Sequence, residues 1–224
     1  MRIMVWNMRW MTRYVGFIAR PIVRLYGDNE IIACGLRSED GSVGIIYTPG
    51  TGHTNHSVVV REDGQWVPAA FNAASNFSGS VVRNLALPHA PSGTLFKMTG
   101  TKATGKQLSS PTITVKPRTA YEPELLEVRS EGVGVAFSWR HGKSRDPMIY
   151  FLAVEDAHGE RTYSAIYTRE TFWRYPEIKR ASYSVGPVRP PILTASERYI
   201  AKLVLVDYDG WVSHVAVQEF SPSS

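Results

Sequence analysis

Apolar and polar positions alternate with a period of two along much of this chain. Val58-Val59-Val60, Ile113-Val115, Val133-Val135-Phe137-Trp139, Leu203-Leu205 and Val215-Val217 lie in short segments rich in β-branched and aromatic residues. That is the pattern of strands with one face turned to a core. Turn signals separate them: Glu39-Asp40-Gly41, Pro49-Gly50-Thr51-Gly52, Glu62-Asp63-Gly64, Asp156-Ala157-His158-Gly159 and Asp209-Gly210. Strand signals every ~8–12 residues, punctuated this way, predict an all-β sandwich or barrel. Apart from the N-terminal segment, no long stretch carries apolar residues at helical spacing with caps.

The stretch Lys116-Pro117-Arg118-Thr119-Ala120-Tyr121-Glu122-Pro123 is polar and holds two prolines six positions apart. It predicts an extended linker. Either side then has the length of one seven-stranded sandwich. The expected organisation is an N-terminal arm over residues 1–20, a first β-sandwich over 21–118 and a second over 119–224. Arg20-Pro21 would end the arm, and a first strand would run from Ile22 to Tyr26.

A resemblance appears at Leu193-Thr194-Ala195-Ser196-Glu197-Arg198-Tyr199. The alternating segment Ile200-Ala201-Lys202-Leu203-Val204-Leu205-Val206-Asp207 follows, then Asp209-Gly210 and a last strand through Phe220. This looks like the penultimate turn and final hairpin of a fibronectin type III domain. The resemblance implies that Leu193 plugs the core while the Tyr199 hydroxyl bonds back to the turn. It also implies a buried tryptophan, for which Trp139 stands ready. Around Leu85-Ala86-Leu87-Pro88-His89-Ala90-Pro91-Ser92-Gly93-Thr94-Leu95-Phe96 the likeness is weaker, because Leu95 or Phe96 takes the tyrosine's place. Together these imply tandem immunoglobulin or fibronectin-like sandwiches, a likeness that identifies a fold better than a function.

Charge changes the picture at one end. The chain has 224 residues and a formal net charge of +5. Arg2, Arg9, Arg13, Arg20 and Arg24, with no acidic residue among the first 24 positions, carry all of it. The rest of the chain is neutral, so neither sandwich reads as a nucleic-acid clamp. The same segment holds Met1, Met4, Met8, Met11, Trp6 and Trp10. Met adapts to irregular surfaces, and Trp and Arg are typical binding anchors. Arg2, Met4, Trp6, Met8, Arg9, Trp10, Met11 and Arg13 are therefore the candidate partner-binding residues, facing another protein subunit or a second copy. The bland alternative packs the segment on its own sandwich or pairs it as an edge strand. A membrane surface or nucleic acid ranks last, since five arginines offer few phosphate contacts. Arg9, Arg13 and Arg20 also interrupt every apolar run that could serve as an export signal. The expectation is a protein made in the cytoplasm and not exported by the usual signal route.

Candidate chemistry is sparse. Cys34, the one cysteine, sits in the apolar stretch Ile31-Ile32-Ala33-Cys34-Gly35-Leu36 and reads as a buried, inert strand residue. His53 and His56 are the one close histidine pair. They point to opposite faces of a strand unless a turn intervenes, and only Glu62 and Asp63 stand near as further ligands. Glu155-Asp156 adjoins a turn, and Glu122, Glu124 and Glu127 read as solvated charges. No Gly-x-Ser-x-Gly elbow and no phosphate-cradling glycine loop occurs. Neither metal nor cofactor is expected. Phe172, Trp173 and Tyr175 form a dense aromatic cluster that either stacks on a ligand or faces the core. Trp66 and Trp211 follow turns and read as core residues at strand starts.

The leading expectation is a non-enzymatic structural or interaction protein, a repeated subunit of a larger assembly such as a phage virion, docking through its arm. One alternative is a carbohydrate-binding module stacking sugars on Trp173, Tyr175 and Trp66. A third is a hydrolase at a cleft between modules, using His53, His56 or His141.

Overall fold

Strands of two kinds build this chain, some buried on one face and some on both. The computed structural model describes residues 31–48, 52–72, 76–78, 82–87, 90–131, 134–141, 149–177, 183–185 and 190–223. The arm, with all eight candidate docking residues, and the expected strand over 22–26 lie outside the described residues. In the first half the strands are β1 (Ile32–Arg37), β2 (Val43–Thr48), β3 (Thr54–Glu62), β4 (Gln65–Pro68), β5 (Asn76–Ser78), β6 (Val82–Leu87), β7 (Leu95–Thr101), β8 (Gln107–Ser109) and β9 (Ile113–Thr114). In the second half come β10 (Ala120–Tyr121), a 3-10 turn at Pro123–Leu125, β11 (Leu126–Glu131), β12 (Gly134–Trp139), β13 (Ile149–Asp156), β14 (Thr162–Thr168), β15 (Phe172–Tyr175), β16 (Tyr183–Val185), β17 (Tyr199–Val206) and β18 (Val212–Phe220).

Each half is a sandwich. The first pairs the sheet β1-β2-β6-β5 with the sheet β4-β3-β7-β8, where β9 also joins β7. The second pairs β10-β18-β17-β13-β14-β16 with β11-β12-β15. Consecutive hairpins that alternate between sheets in this order make the arrangement of immunoglobulin and fibronectin type III-like sandwiches. The chain is thus all-β among the described residues, as the alternation predicts.

Period-two alternation sorts the apolar side chains into three layers. Val43, Ile45, Tyr47, Leu85 and Leu87 meet Val58, Phe96, Met98 and Ile113 inside the first sandwich. Val135, Phe137, Trp139, Trp173 and Tyr175 meet Tyr150, Leu152, Leu203 and Leu205 inside the second. The third layer lies between the sandwiches. There Cys34, Leu36, Ile46 and Val82 pack on Ile149, Phe151, Ala153, Tyr167, Val204 and Val206. The sheets β1-β2-β6-β5 and β10-β18-β17-β13-β14-β16 are therefore inner layers, covered on both faces. This is why β2 is buried at every position and β13 at all but its last. A strand with no solvent face has no reason to place polar residues at alternate positions.

The segment expected as a linker is held down on the second sandwich. Ala120 and Tyr121 pair in parallel with His214 and Val215. The Thr119 hydroxyl donates to the Val212 carbonyl at 2.8 Å and accepts from the Arg37 N–H at 3.0 Å. Prolines 117 and 123 lack an N–H, but the residues between them keep theirs free for this stitching.

The corner implied by the fibronectin resemblance is present. The Thr194 N–H donates to the Tyr199 hydroxyl at 2.9 Å, and that hydroxyl donates to the Glu197 carboxylate at 3.0 Å. Leu193 packs against the second core, and Trp139 lies buried in it. In the first sandwich Phe96 is fully buried without a hydroxyl. Backbone bonds from Gly93 to Val115 and from Val115 to Thr94 close that turn instead. Replacing Tyr199 by Phe removes both hydroxyl bonds and is expected to cost about 1 kcal/mol, read as a lower urea midpoint at unchanged slope.

Candidate interaction surface

The junction between the sandwiches gathers several closely held polar groups. The turn between β17 and β18 carries Trp211, which is fully buried, yet its ring belongs to the core of the first sandwich. It enters beside Gly35, whose N–H donates to the Gly210 carbonyl at 2.9 Å. A Cβ at Gly35 would lie 2.8 Å from two carbons of the Trp211 ring, so only glycine leaves room. The indole N–H donates to the Arg118 carbonyl at 3.1 Å. Lys116 reaches across to Asp209 at 2.8 Å and Asp207 at 3.0 Å. Burial works against its ammonium, but the hydrogen bonds and charges of the two aspartates outweigh it and raise its pKa. Beside them a notch of about 350 Å³ is lined by Arg118, Glu122 and the buried His214, whose Nε2 stands 3.8 Å from the Glu122 carboxylate.

A more deeply buried ion pair fastens the far side. Glu155, fully buried, meets the Lys202 ammonium at 3.2 Å, and Lys202 also donates to the Phe77 carbonyl at 2.5 Å. The Thr48 and Tyr167 hydroxyls bond across the same interface at 3.0 Å. Glu155 and Asp156 do act separately: Asp156 only closes its turn, accepting from the Glu160 N–H at 2.9 Å.

The structure separates the residues expected to bind ligands. Alternation along β15 turns Trp173 and Tyr175 into the second core, 2% exposed each, while Phe172 points out at 38%. The Trp173 indole bonds to the Glu177 carbonyl and the Tyr175 hydroxyl to that of Pro191. The three rings therefore do not form a stacking platform. Trp66 stands in β4, on the other sandwich, with the Lys97 ammonium 4.7 Å over its ring. Trp211 is a core residue, as its place after a turn predicts, but in the opposite module.

His53 and His56 flank a break in the β3 register at Asn55, which has φ 52°. His56 packs on the Tyr47 ring, 5.1 Å between centroids, and its buried Nε2 has no partner. His141 follows β12 beside the Tyr150 hydroxyl, to which its Nδ1 bonds. The first pair thus lies at the start of β3, in the outer sheet of one sandwich, and His141 just past β12, beside the outer sheet of the other. An apolar core fills the space that an inter-module catalytic cleft would need. Among the described residues, no group of three or more His, Cys, Asp or Glu is placed to hold a metal. Cys34 lies in the inter-module core, where burial pushes its thiol up to about 12.

Burial, then the charges of Arg83 and His53, hold the His56 pKa below its ordinary value. A histidine depressed in the folded state stabilises the fold above its unfolded pKa, and that stability is lost as pH falls through the folded value. Melting temperature is therefore expected to drop as pH is lowered from 7 to 5, and His56→Gln to flatten part of that slope.

Two further surface hollows lie among the described residues. One, of about 690 Å³, is mostly apolar and lined by Val60, Pro68, Ala69, Leu87, Pro91 and Leu95. The other is a groove of about 720 Å³ along β11, with Leu125, Leu126, Val128 and Trp139 beneath and Glu124, Glu127, Arg140 and Gln218 around it. Trp139 is 5% exposed, and its indole N–H has no partner. Glu127, read from sequence as solvated, is exposed and bonded to Arg129 and Ser138. The groove escapes sequence reading because it forms where two sheets meet.

No protein-family model matches the chain, and comparison with curated proteins found no match. Among solved structures it is similar to the FN1–FN3 domains of chicken CNTN1, with 12% identity and a TM-score of 0.33 over 86% of this chain and 66% of that one. It is also similar to the chicken interferon gamma receptor alpha chain, with 11% identity and a TM-score of 0.31 over 86% and 97%. A two-domain fibronectin type III segment from chicken tenascin gives 9% identity and a TM-score of 0.31 over 86% and 98%. The strand orders and the Tyr199 corner define the fold here, independently of these overlaps.

Proposed function

We propose that this chain is a non-enzymatic interaction protein, a rigid two-sandwich block that engages protein partners through its arm and its exposed strand edges. The observation that carries this is the apolar core between the sandwiches, pinned by Trp211 and the Glu155–Lys202 pair. It removes the hinge of a beads-on-string pair and fixes the separation of whatever binds at either end. The arm supplies what such a block needs to join neighbours, since it concentrates the chain's net charge, four methionines and two tryptophans.

In its finer form the reading is a repeated subunit of a larger assembly. A phage virion is one such assembly, suggested by analogy alone, and no comparison adds to it. Light scattering across a concentration series tests the assembly reading. The full chain is expected to gain mass with concentration, and a variant with Trp6 and Trp10 both replaced by Ala to remain monomeric. A full chain that stays monomeric to millimolar concentration sinks the repeated-subunit reading.

A further inference from the structure

We propose that the open edge of β4, in the first sandwich, takes an extended segment of a partner protein as an added strand, acidic on its outward face and apolar on its inward face; this rests on reading the chain as an interaction protein. The β3–β4 hairpin fixes which backbone groups are open. Asp63 and Gly64 both have positive φ, 47° and 79°, as in the two-residue turn whose flanking residues exchange both hydrogen bonds. Glu62 and Gln65 are that flanking pair, and the Ala69 N–H donates to the Val58 carbonyl at 2.9 Å in the same phase. Alternation then turns the N–H and carbonyl of Trp66 and the carbonyl of Pro68 away from β3. Strand β4 is outermost in its sheet, and none of these three groups bonds anything among the described residues. Pro68 has no N–H, which suits a position facing away from the ladder.

The two faces of this edge differ in chemistry. Trp66 pairs with Arg61, and Pro68 with Val59, which pairs in turn with Lys97. Residues paired in this way share one face, here the outer one. On it the Lys97 ammonium stands 4.7 Å and the Arg61 guanidinium 5.9 Å from the centroid of the indole. Among the described residues no carboxylate pairs with either cation. Glu62 lies one step along β3, where alternation turns it to the other face, and Asp63 stands in the turn. On that other face the hollow of about 690 Å³ takes its lining from Val60 of β3, Leu87 of β6 and Ala69 just past β4, with Glu62 among its lining, so it opens between the two sheets at this edge.

These faces specify the occupant. A partner residue placed opposite Trp66 points to the outer face, where a Glu or Asp side chain meets both Arg61 and Lys97. The partner residues on either side of it turn inward, where Val or Leu fits the hollow. A free N–H and free carbonyls in strand phase suit a peptide, and a nucleic acid or a sulfated glycan has no amide row to match them. A second copy pairing edge to edge would bring two sets of these cations onto one face with no acid between them. The charge and the proline that guard this edge against its like thus select an acidic strand.

NMR titration of the full chain with a short, end-blocked peptide alternating Glu and Val tests this. The Trp66 amide and indole N–H and the amides of Arg61, Val67 and Lys97 are expected to shift together, and the Trp66 amide to exchange several-fold more slowly with solvent. The same peptide with Lys in place of Glu should bind about tenfold more weakly or worse, and so should the Glu peptide to the double variant Arg61→Gln with Lys97→Gln. Neither side chain belongs to a core, so the variant should keep its melting temperature. If it does not fold, the Lys peptide decides the role of charge on the unmodified protein. A Trp66 amide that stays unshifted with the Glu peptide at roughly millimolar concentration overturns the proposal. So does equal binding of the Lys peptide. Shifts at Trp66 with heparin or oligothymidylate, but none with the Glu peptide, also overturn it and make this face a polyanion site. If the edge fails while the gain of mass still depends on Trp6 and Trp10, the functional reading stands.

Discussion

Replacing Trp211 by alanine is expected to lower stability by about 3–5 kcal/mol, the range for deleting a buried tryptophan. For a chain of this size that is a fall in melting temperature of roughly 10 °C. The substitution lies in the second sandwich, but the cavity opens in the first, beside Gly35 and Phe96. Scanning calorimetry should therefore show one transition that moves as a whole. A variant in which only one of two separate transitions shifts would show that the halves melt independently and that the wedge does not couple them.

Lys202→Met should cost a similar amount for a different reason. It leaves the Glu155 carboxylate fully buried with its cation gone, when one of its oxygens already has no partner. Removing one member of a buried pair costs about 3–5 kcal/mol, whereas replacing both by apolar residues is often neutral. The double variant Lys202→Met with Glu155→Leu should recover most of the loss in chemical denaturation. If the double variant is as unstable as the single one, the damage comes from the lost Lys202 bond to the Phe77 carbonyl and not from the stranded charge.

The contrast between these residues explains what the sequence shows and what it hides. Strands with a wetter face declare themselves, as Val135-Phe137-Trp139 does, because solvent enforces alternation. The same rule blurs Ile149-Tyr150-Phe151-Leu152-Ala153-Val154, which serves two cores at once. The Tyr199 corner is legible because Leu193, Thr194 and Tyr199 are close in sequence and act within one turn. Trp211 looks like any tryptophan after an Asp-Gly turn, and nothing local says that its pocket lies 176 positions away at Gly35. The aromatic cluster at 172–175 misleads as a binding platform because composition is visible while strand phase is not. One register step decides which rings face the core.

The interface between the sandwiches joins unlike surfaces: the β1-β2-β6-β5 face of one module meets the β18-β17-β13-β14 face of the other. A contact of that kind has no two-fold axis, so it repeats without end wherever the remaining faces are as apolar as those already joined. Here they are not. The outer face of β11-β12-β15 carries the Glu127–Arg129 and Glu131–Arg174 ion pairs, and the β4-β3-β7-β8 face carries Arg61 and Lys97 around Trp66. A further sandwich would find no apolar match on either of these two faces.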